Sequence, residues 1–305
     1  MAPLEDLAAF AAVVQHRGFR GAAAAHGTSA SRLSEAVRRL EDKLGVRLLH
    51  RTTRSVTPTE TGARLFDRLR PALQDIGGAL DAVNETKDKP AGRLRLNVPV
   101  AAARLVLPAI VPAFMQAYPD IELEVIADDR LVNVLSEGFD AGIRYGERLE
   151  QDMVAVPIGP RTQRFAVGAS KTYLKEHGRP KHPRDVLAHT CFRGKFAGGM
   201  PLTWDFARDG ESISVDVKGP LVVGLGNAVE LAVDAAVKGV GLVYLFEDWL
   251  QPYFDRGELE PVLKTWWPSF SGPYLYFAGR RQLPGPLRAF VDFLKSAQAD
   301  TAQRP

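Results

Sequence analysis

Apolar residues recur at steps of three and four from the first turn of the chain. Leu4, Leu7, Ala11 and Val14 make one stripe, which predicts an amphipathic helix whose apolar face needs a partner. Gly18 and Phe19 interrupt the pattern, Ala22 to Ala25 predict a compact second helix, and Gly27 supplies a turn before Thr28 and Ser29. A third helix follows, capped by Ser29 or Ser31, with Leu33, Val37, Leu40 and Leu44 on its buried face. Ala30, Arg32, Ser34, Glu35 and Arg38 then face mostly outward, and Gly45 closes the helix. Alanines in the second helix let the third come close, which leaves the N-terminal half of the third free to enter a major groove.

Val46 to Val56 reads as two short extended runs around Arg51, Thr52, Thr53 and Arg54, a basic wing, with Thr57 and Pro58 opening another helix. In that helix Phe66, Leu69, Leu73, Ile76, Leu80 and Val83 form an a/d seam along which two chains can pair; the alternative is that this face packs on its own chain. Pro71 bends the helix, and KDKPAG (87–92) reads as a hinge. Beyond Arg93 strands alternate with helices: RLRLNV, a helix from Leu105 to Tyr118, IELEVIA, a helix near Leu131 to Glu137, and DAGIRY. A second set runs from MVAVPIG and RFAVGAS through CFRG, WDFA, ISVDVKG, a helix from Asn227 to Lys238, and GVGLVYL. The chain returns with YLYFAGR and a helix from Gly285 to Ala297, an α/β architecture.

Charge sharpens the picture. Residues 17 to 54 hold nine basic side chains against three acidic ones, whereas residues 91 to 305 hold 25 of each, so the positive field sits on the helical head. MAPLEDLAAF carries acids where a secretory signal carries bases. The apolar tract from Leu96 to Met115 is broken by Arg104 and by prolines at 99, 108 and 112, so no membrane span is expected. Cys191 is the only cysteine, which excludes an internal disulfide; beside Phe192 at a strand start it is expected to be buried. The six histidines lack metal-ligand spacing and no nucleophile motif occurs, so no metal, cofactor or catalytic residue is expected. GLGNAV (224–229) lacks the third glycine of a dinucleotide loop. Asp128 and Asp129, adjacent on a strand, point to opposite faces and are expected to cap the next helix.

The segment Leu4 to Gly62, above all RRLEDKLGVRLLHRTTRSVTPTETG, resembles the N-terminal domain of LysR-type transcriptional regulators, and the likeness extends across nearly the whole chain. The Arg-Thr-Thr-Arg wing and EGFDAGIRYGERL (137–149) resemble one branch of that family. The resemblance implies an all-α winged helix-turn-helix over residues 1–60, a dimerisation helix over 61–88 and a hinge over 89–92. It also implies a two-lobed α/β effector domain, like a periplasmic binding protein, over 93–305. Lobe I would be 93–161 with 270–305, and lobe II 162–269. It further implies a cytoplasmic homodimer or homotetramer whose partners are double-stranded DNA, a small-molecule effector and RNA polymerase, with no membrane.

In that scheme Ser29 and Ala30 belong to the DNA-binding set, Ser31, Arg32, Ser34, Glu35 and Arg38 supply base contacts, and Arg51, Thr52 and Arg54 fix phosphates. The family often has Gln-Pro or Gln-Ser followed by Ala where this chain has Ala30, Ser31 and Arg32, and Arg where it has Glu35, so sequence preference does not carry over. Effector candidates are Val100, Ala101 and Ala102 after the first strand, Arg144 and Tyr145 after DAGI, and Arg193, Asn227 and Tyr244, with packing as the alternative role for each. Many relatives place Ser or Thr where PVAAAR stands, to hold a carboxylate; without that hydroxyl a less polar effector is expected. The rival expectation is a ligand-binding protein or enzyme whose N-terminal domain serves only for association.

Overall fold

Three helices open the chain: α1 (Leu4–Gln15), α2 (Phe19–Ala25) and α3 (Ala30–Leu44). Their apolar stripes meet in one core, in which Phe10, Val13, Ala22, Val37, Leu40 and Leu48 are buried. The second helix begins three residues before the alanine run, because Phe19 packs on this same core. The Ser29 hydroxyl caps α3 by accepting from the Arg32 N–H at 3.2 Å, and Gly45 ends it in the left-handed region at φ 68°. Leu44 departs from expectation: it is 44% exposed, and Glu41 takes the inward position in the last turn.

The computed structural model describes residues 2–51, 56–84, 90–129, 137–146, 153–226, 228–279 and 283–302. The chain falls into two units, residues 1–92 with 132–140 and 280–289, and residues 93–131, 141–279 and 290–305. In the first unit β1 (Leu49–Arg51) pairs antiparallel with β2 (Val56–Pro58), Leu49 opposite Pro58. Pro58 therefore belongs to the wing and not to the helix expected to start there. Helix α4 (Glu60–Asn84) begins after Thr59, whose hydroxyl accepts from the Gly62 N–H at 3.0 Å and donates to the Arg47 carbonyl at 2.9 Å. Pro71 lies inside α4, and Phe66 and Leu69 pack against the helical core of their own chain. Most of the KDKPAG hinge lies outside the described residues.

Among the described residues the second unit holds two larger sheets and two two-stranded ones. The first has the order β4-β3-β5-β15-β6, built from β3 (Gly92–Val98), β4 (Ile121–Ala127), β5 (Ala141–Arg144), β6 (Met153–Pro157) and β15 (Tyr274–Ala278). β3 runs parallel to β5, and β15 returns antiparallel between β5 and β6. The single helix expected from Leu105 to Tyr118 is instead α5 (Val100–Leu105), a 3-10 turn (Leu107–Ala109) and α6 (Val111–Ala117). Pro108 and Pro112 explain the breaks, since neither has an N–H for a continuous ladder. Phe290 and Phe293 of α10 (Gly285–Ala302) stack edge-on to Phe114 at 4.9 and 5.5 Å. The helix expected near Leu131 lies outside the described residues.

The second sheet has the order β12-β7-β13, from β7 (Thr162–Ala169), β12 (Val243–Phe246) and β13 (Glu260–Val262), with β14 (Ser269–Ser271) also on β7. β8 (Arg193–Lys195) runs parallel to β11 (Val222–Gly224), and a bridge from Cys191 to Leu242 joins them to β12. β9 (Trp204–Arg208) and β10 (Glu211–Val215) form a hairpin. Helices α7 (Lys171–His177), α8 (Val229–Val237) and α9 (Glu247–Asp255) complete this half. Cys191 is fully buried, burial pushes its thiol up to about 12, and its Sγ–H donates to the Val186 carbonyl at 3.4 Å. Among the described residues no single helix is long and apolar enough to cross a membrane.

Close packing of α4 on the chain before it depends on Gly62, where an added Cβ would overlap the Leu48 carbonyl oxygen. Gly62→Ala is expected to lower stability by about 2 kcal/mol, a typical cost of overpacking, measured as a lower midpoint in urea unfolding at unchanged slope.

Candidate functional sites

The outward face of α3 carries Ser31, Arg32, Glu35 and Arg38 in solvent, with Leu33, Val37 and Leu40 holding the opposite face in the core. Arg32 and Arg38 have no side-chain partner among the described residues, so their guanidinium groups are available. Arg39 differs: it lies 2.6 Å from the buried Asp6 and ties α3 to α1. Ser29 is spent as the cap, Ala30 packs partly into the core, and the half-buried Ser34 accepts from Arg51 at 3.3 Å.

Glu41 organises the turn between α3 and the wing. Its side chain is only 2% exposed, and Oε1 accepts from the Leu48 and Leu49 N–H groups at 2.8 and 3.1 Å. Oε2 accepts from Arg47 at 3.2 Å and Arg51 at 3.1 Å. Burial alone would raise this carboxyl, but the two backbone amides and the two arginines outweigh it and hold the group below its ordinary range. Arg51, expected as a phosphate contact, is thus engaged by Glu41, by Ser34 and by the Phe19 ring 5.2 Å from its guanidinium carbon. Its first service is to lock β1 against α3. Thr52 and Arg54 lie outside the described residues.

On α4, Phe66 and Leu69 are used by the core of their own chain, Leu73 is half-buried, and Ile76 is 39% exposed. The side chains of Leu80 and Val83 lie outside the described set. The stretch of α4 left for the seam expected from the sequence is therefore shorter at its N-terminal end than periodicity alone suggests.

A cavity of about 390 Å³ lies between the two sheets of the second unit. The ends of four strands supply most of its polar rim and part of its wall: Pro99 after β3, Asp128 and Asp129 after β4, Arg144 and Tyr145 at β5, and Leu245 and Phe246 of β12. The Asp128 N–H donates to the Val98 carbonyl at 2.9 Å, which fixes that turn. Phe165, Phe196, Phe270, Trp249, Leu202 and Leu225 close the apolar wall. Asp129 Oδ1 accepts from the Val100 N–H at 3.2 Å and so caps α5, whereas the helix expected to follow the aspartates lies outside the described residues. Among the described residues the Asp129 Oδ2 is buried without a hydrogen-bond partner, as is the Tyr145 hydroxyl. Burial pushes the Asp129 carboxyl above its ordinary range and Asp128 adds to the rise, against the Val100 amide and Arg144. Burial, with Asp248 and Asp129 nearby, raises the Tyr145 phenol as well, so it remains protonated.

Ala101, Arg144 and Tyr145 line the cavity as expected from the sequence. Arg144 is 6% exposed and donates to Asn97 Oδ1 at 2.6 Å and to the Ile143 carbonyl at 2.7 Å. Val100 and Ala102 do not line it: Val100 packs on the core of the second sheet, and Ala102 is fully buried. Tyr244 is a core residue, its ring stacked between Phe165 and Trp204 at 4.9 and 5.2 Å and its hydroxyl donating to the Asp205 carbonyl. Arg193 pairs within β8 and β11 away from the lining, and Asn227 lies outside the described residues. The two aspartates and the aromatic wall were missed; the rule that α/β sheets bind ligands beyond the carboxyl ends of their strands would have pointed to Asp128, Asp129 and Phe246.

Residues 4–69 match the family model described as bacterial regulatory helix-turn-helix protein, lysR family, and residues 87–299 match the LysR substrate binding domain. The chain is 37% identical to the HTH-type transcriptional regulator YcaN of Escherichia coli over 99% of its own length and 97% of that protein's. It is 35% identical to PgrR, another HTH-type transcriptional regulator of that organism, over 96% and 97%. Among solved structures, the LysR-type transcriptional regulator CrgA of Neisseria meningitidis superposes with a TM-score of 0.58 at 28% identity, covering 96% of this chain and 98% of that one.

Because the Glu41 carboxyl is held below its ordinary range, its network contributes stability above that range and loses it as pH falls through the folded value. Glu41→Gln should cost about 2 kcal/mol at neutral pH, the scale of hydrogen bonds to a charged acceptor. The gap from the parent protein should shrink under acid conditions, as followed by thermal unfolding across pH.

Proposed function

Since the chain belongs to the LysR family of transcriptional regulators, we propose that it binds an interrupted inverted repeat in DNA as a homodimer or a dimer of dimers and changes its grip when an effector enters the cavity. The family is one of DNA-binding regulators and not of enzymes, so the reading of a catalyst with an association-only N-terminal domain has no support. The observation that carries the proposal is the polar face of α3: Arg32 and Arg38 stand in solvent on a helix whose other face is fully buried. Ser31, Arg32, Ser34, Glu35 and Arg38 are the candidate base readers, with Ser29 and Ala30 at the entering end and Thr52 and Arg54 on the phosphates. Glu35 suits the N4 donor of cytosine.

In this reading the effector cavity draws on both sheets, so a bound molecule favours one arrangement of them over another and thereby the spacing of two DNA-reading heads. The working location is the cytoplasm, with RNA polymerase as a further partner. Sequencing genomic fragments retained by the purified protein at near-physiological salt tests the DNA reading: a shared interrupted inverted repeat supports it, and featureless enrichment overturns it.

Arg54→Ala should weaken binding to all DNA and flatten the salt dependence, with a slope change of about one unit for one lost phosphate contact. Arg32→Ala should instead alter sequence preference more than salt slope, and competition with random DNA measures both. Leu73→Glu combined with Leu80→Glu should disrupt the α4 seam and lower operator affinity, checked by a reduced mass in light scattering.

A further inference from the structure

Resting on the reading that the cavity is the effector site, we propose that its ligand is a flat, fused-ring aromatic molecule. Bound there, it extends a stack of rings already built into the second sheet.

The stack starts in the core. Trp204 lies 5.2 Å from Tyr244 between ring centroids with 19° between the ring planes, and Tyr244 lies 4.9 Å from Phe165 at 13°. From Phe165 the series goes on to Phe246 at 4.8 Å and Phe270 at 5.1 Å, and Phe246 lies 5.4 Å from Tyr145. Strand register makes the central contact, since Phe165 of β7 is the cross-strand partner of Phe246 on β12. The inner rings, Trp204 and Tyr244, are covered by the core. The outer ones, Phe165, Phe246 and Phe270, are only half-buried and line the cavity. A ring placed against them continues the series.

The rest of the lining suits the same body. Leu202, Leu225 and Leu245 add apolar contact, and Trp249 adds a further ring. That indole is held in place, with the Arg104 guanidinium carbon 4.2 Å from its ring centre and its Nε1–H donating to Glu230 at 3.2 Å. For size, a dry cavity of about 150 Å³ holds benzene, so about 390 Å³ has room for a fused pair of rings. The rim mixes both charges with a phenol: Asp128, Asp129, Arg144 and Tyr145. A ligand hydroxyl both donates and accepts, so it suits such a rim. A saturated body of the same outline buries similar area but lacks the π faces, which favour offset and edge-on contacts with neighbouring rings beyond area burial.

Calorimetric titration of the full-length protein with β-naphthol and its fully saturated counterpart, β-decalol, tests the proposal, since the two share a skeleton and a hydroxyl. The aromatic alcohol should bind roughly threefold to tenfold tighter, the scale of aromatic contacts beyond area burial. Phe246→Leu, which keeps an apolar side chain but removes a ring, should erase that preference while β-decalol still binds. Phe270→Leu serves as the second variant should the first unfold. Equal or tighter binding of β-decalol by the parent protein, or binding of neither alcohol, overturns the aromatic class and leaves the cavity as effector site. Persistence of the full preference in both leucine variants overturns the stacking. Ala101→Leu, which intrudes into the cavity, should weaken binding of β-naphthol. Undiminished binding by that variant places the site elsewhere and overturns the effector-site reading together with the aromatic proposal.

Discussion

The DNA-reading head depends on one buried carboxylate having every lone pair occupied. Glu41 lies where an apolar residue would ordinarily close the last turn of a helix, and it receives two backbone amides and two guanidinium groups. Burying a charge without such partners costs several kcal/mol, so the loop from Leu48 to Arg51 must stay where its amides reach Oε1. That requirement joins the C-terminal turn of α3 to the first strand of the wing. The two elements proposed to address DNA are thus set relative to each other by a residue buried between them.

Asp129 shows the opposite condition. One oxygen is tied to the Val100 amide, and the other, although buried, has no hydrogen-bond partner among the described residues. A fully satisfied buried acid fixes structure, whereas a half-satisfied one at the edge of a cavity is poised to receive a donor. Its position follows from the sheet. Strand ends β3, β4 and β5 open toward the same side, and the facing half contributes aromatic side chains from β7, β12, α9 and β14. Aromatic rings supply apolar contact and π faces without committing further buried polar atoms.

Several elements were legible along the chain because their causes are local. The Ser29 cap, the left-handed Gly45, the buried stripe of Leu33, Val37 and Leu40, and the strand IELEVIA depend on neighbours within a few residues. Where the expectation slipped, a distant partner decided. Phe19 joins α2 because a core awaits it, and Leu44 stays in solvent while Glu41 turns inward toward amides seven and eight residues on. The breaks at Pro108 and Pro112 were local and available, yet the apolar periodicity around them outweighed the missing N–H groups in the reading of one long helix.

By itself the sequence determined the family, the winged helix-turn-helix, the concentration of positive charge on the head and the α/β character of the rest, all carried by short-range pattern and composition. Only the tertiary structure decided which residues meet across long separations. Tyr244 and Arg144 are both polar residues on strands, yet one is stacked inside a core while the other borders the cavity. Asp129 and Phe246 lie more than a hundred residues apart, and nothing in either local segment records that they line one space. The physical reason is that a ligand site is a property of packed surfaces: each strand specifies its own pleat, but the cavity exists only where the carboxyl ends of one sheet face the aromatic side of another.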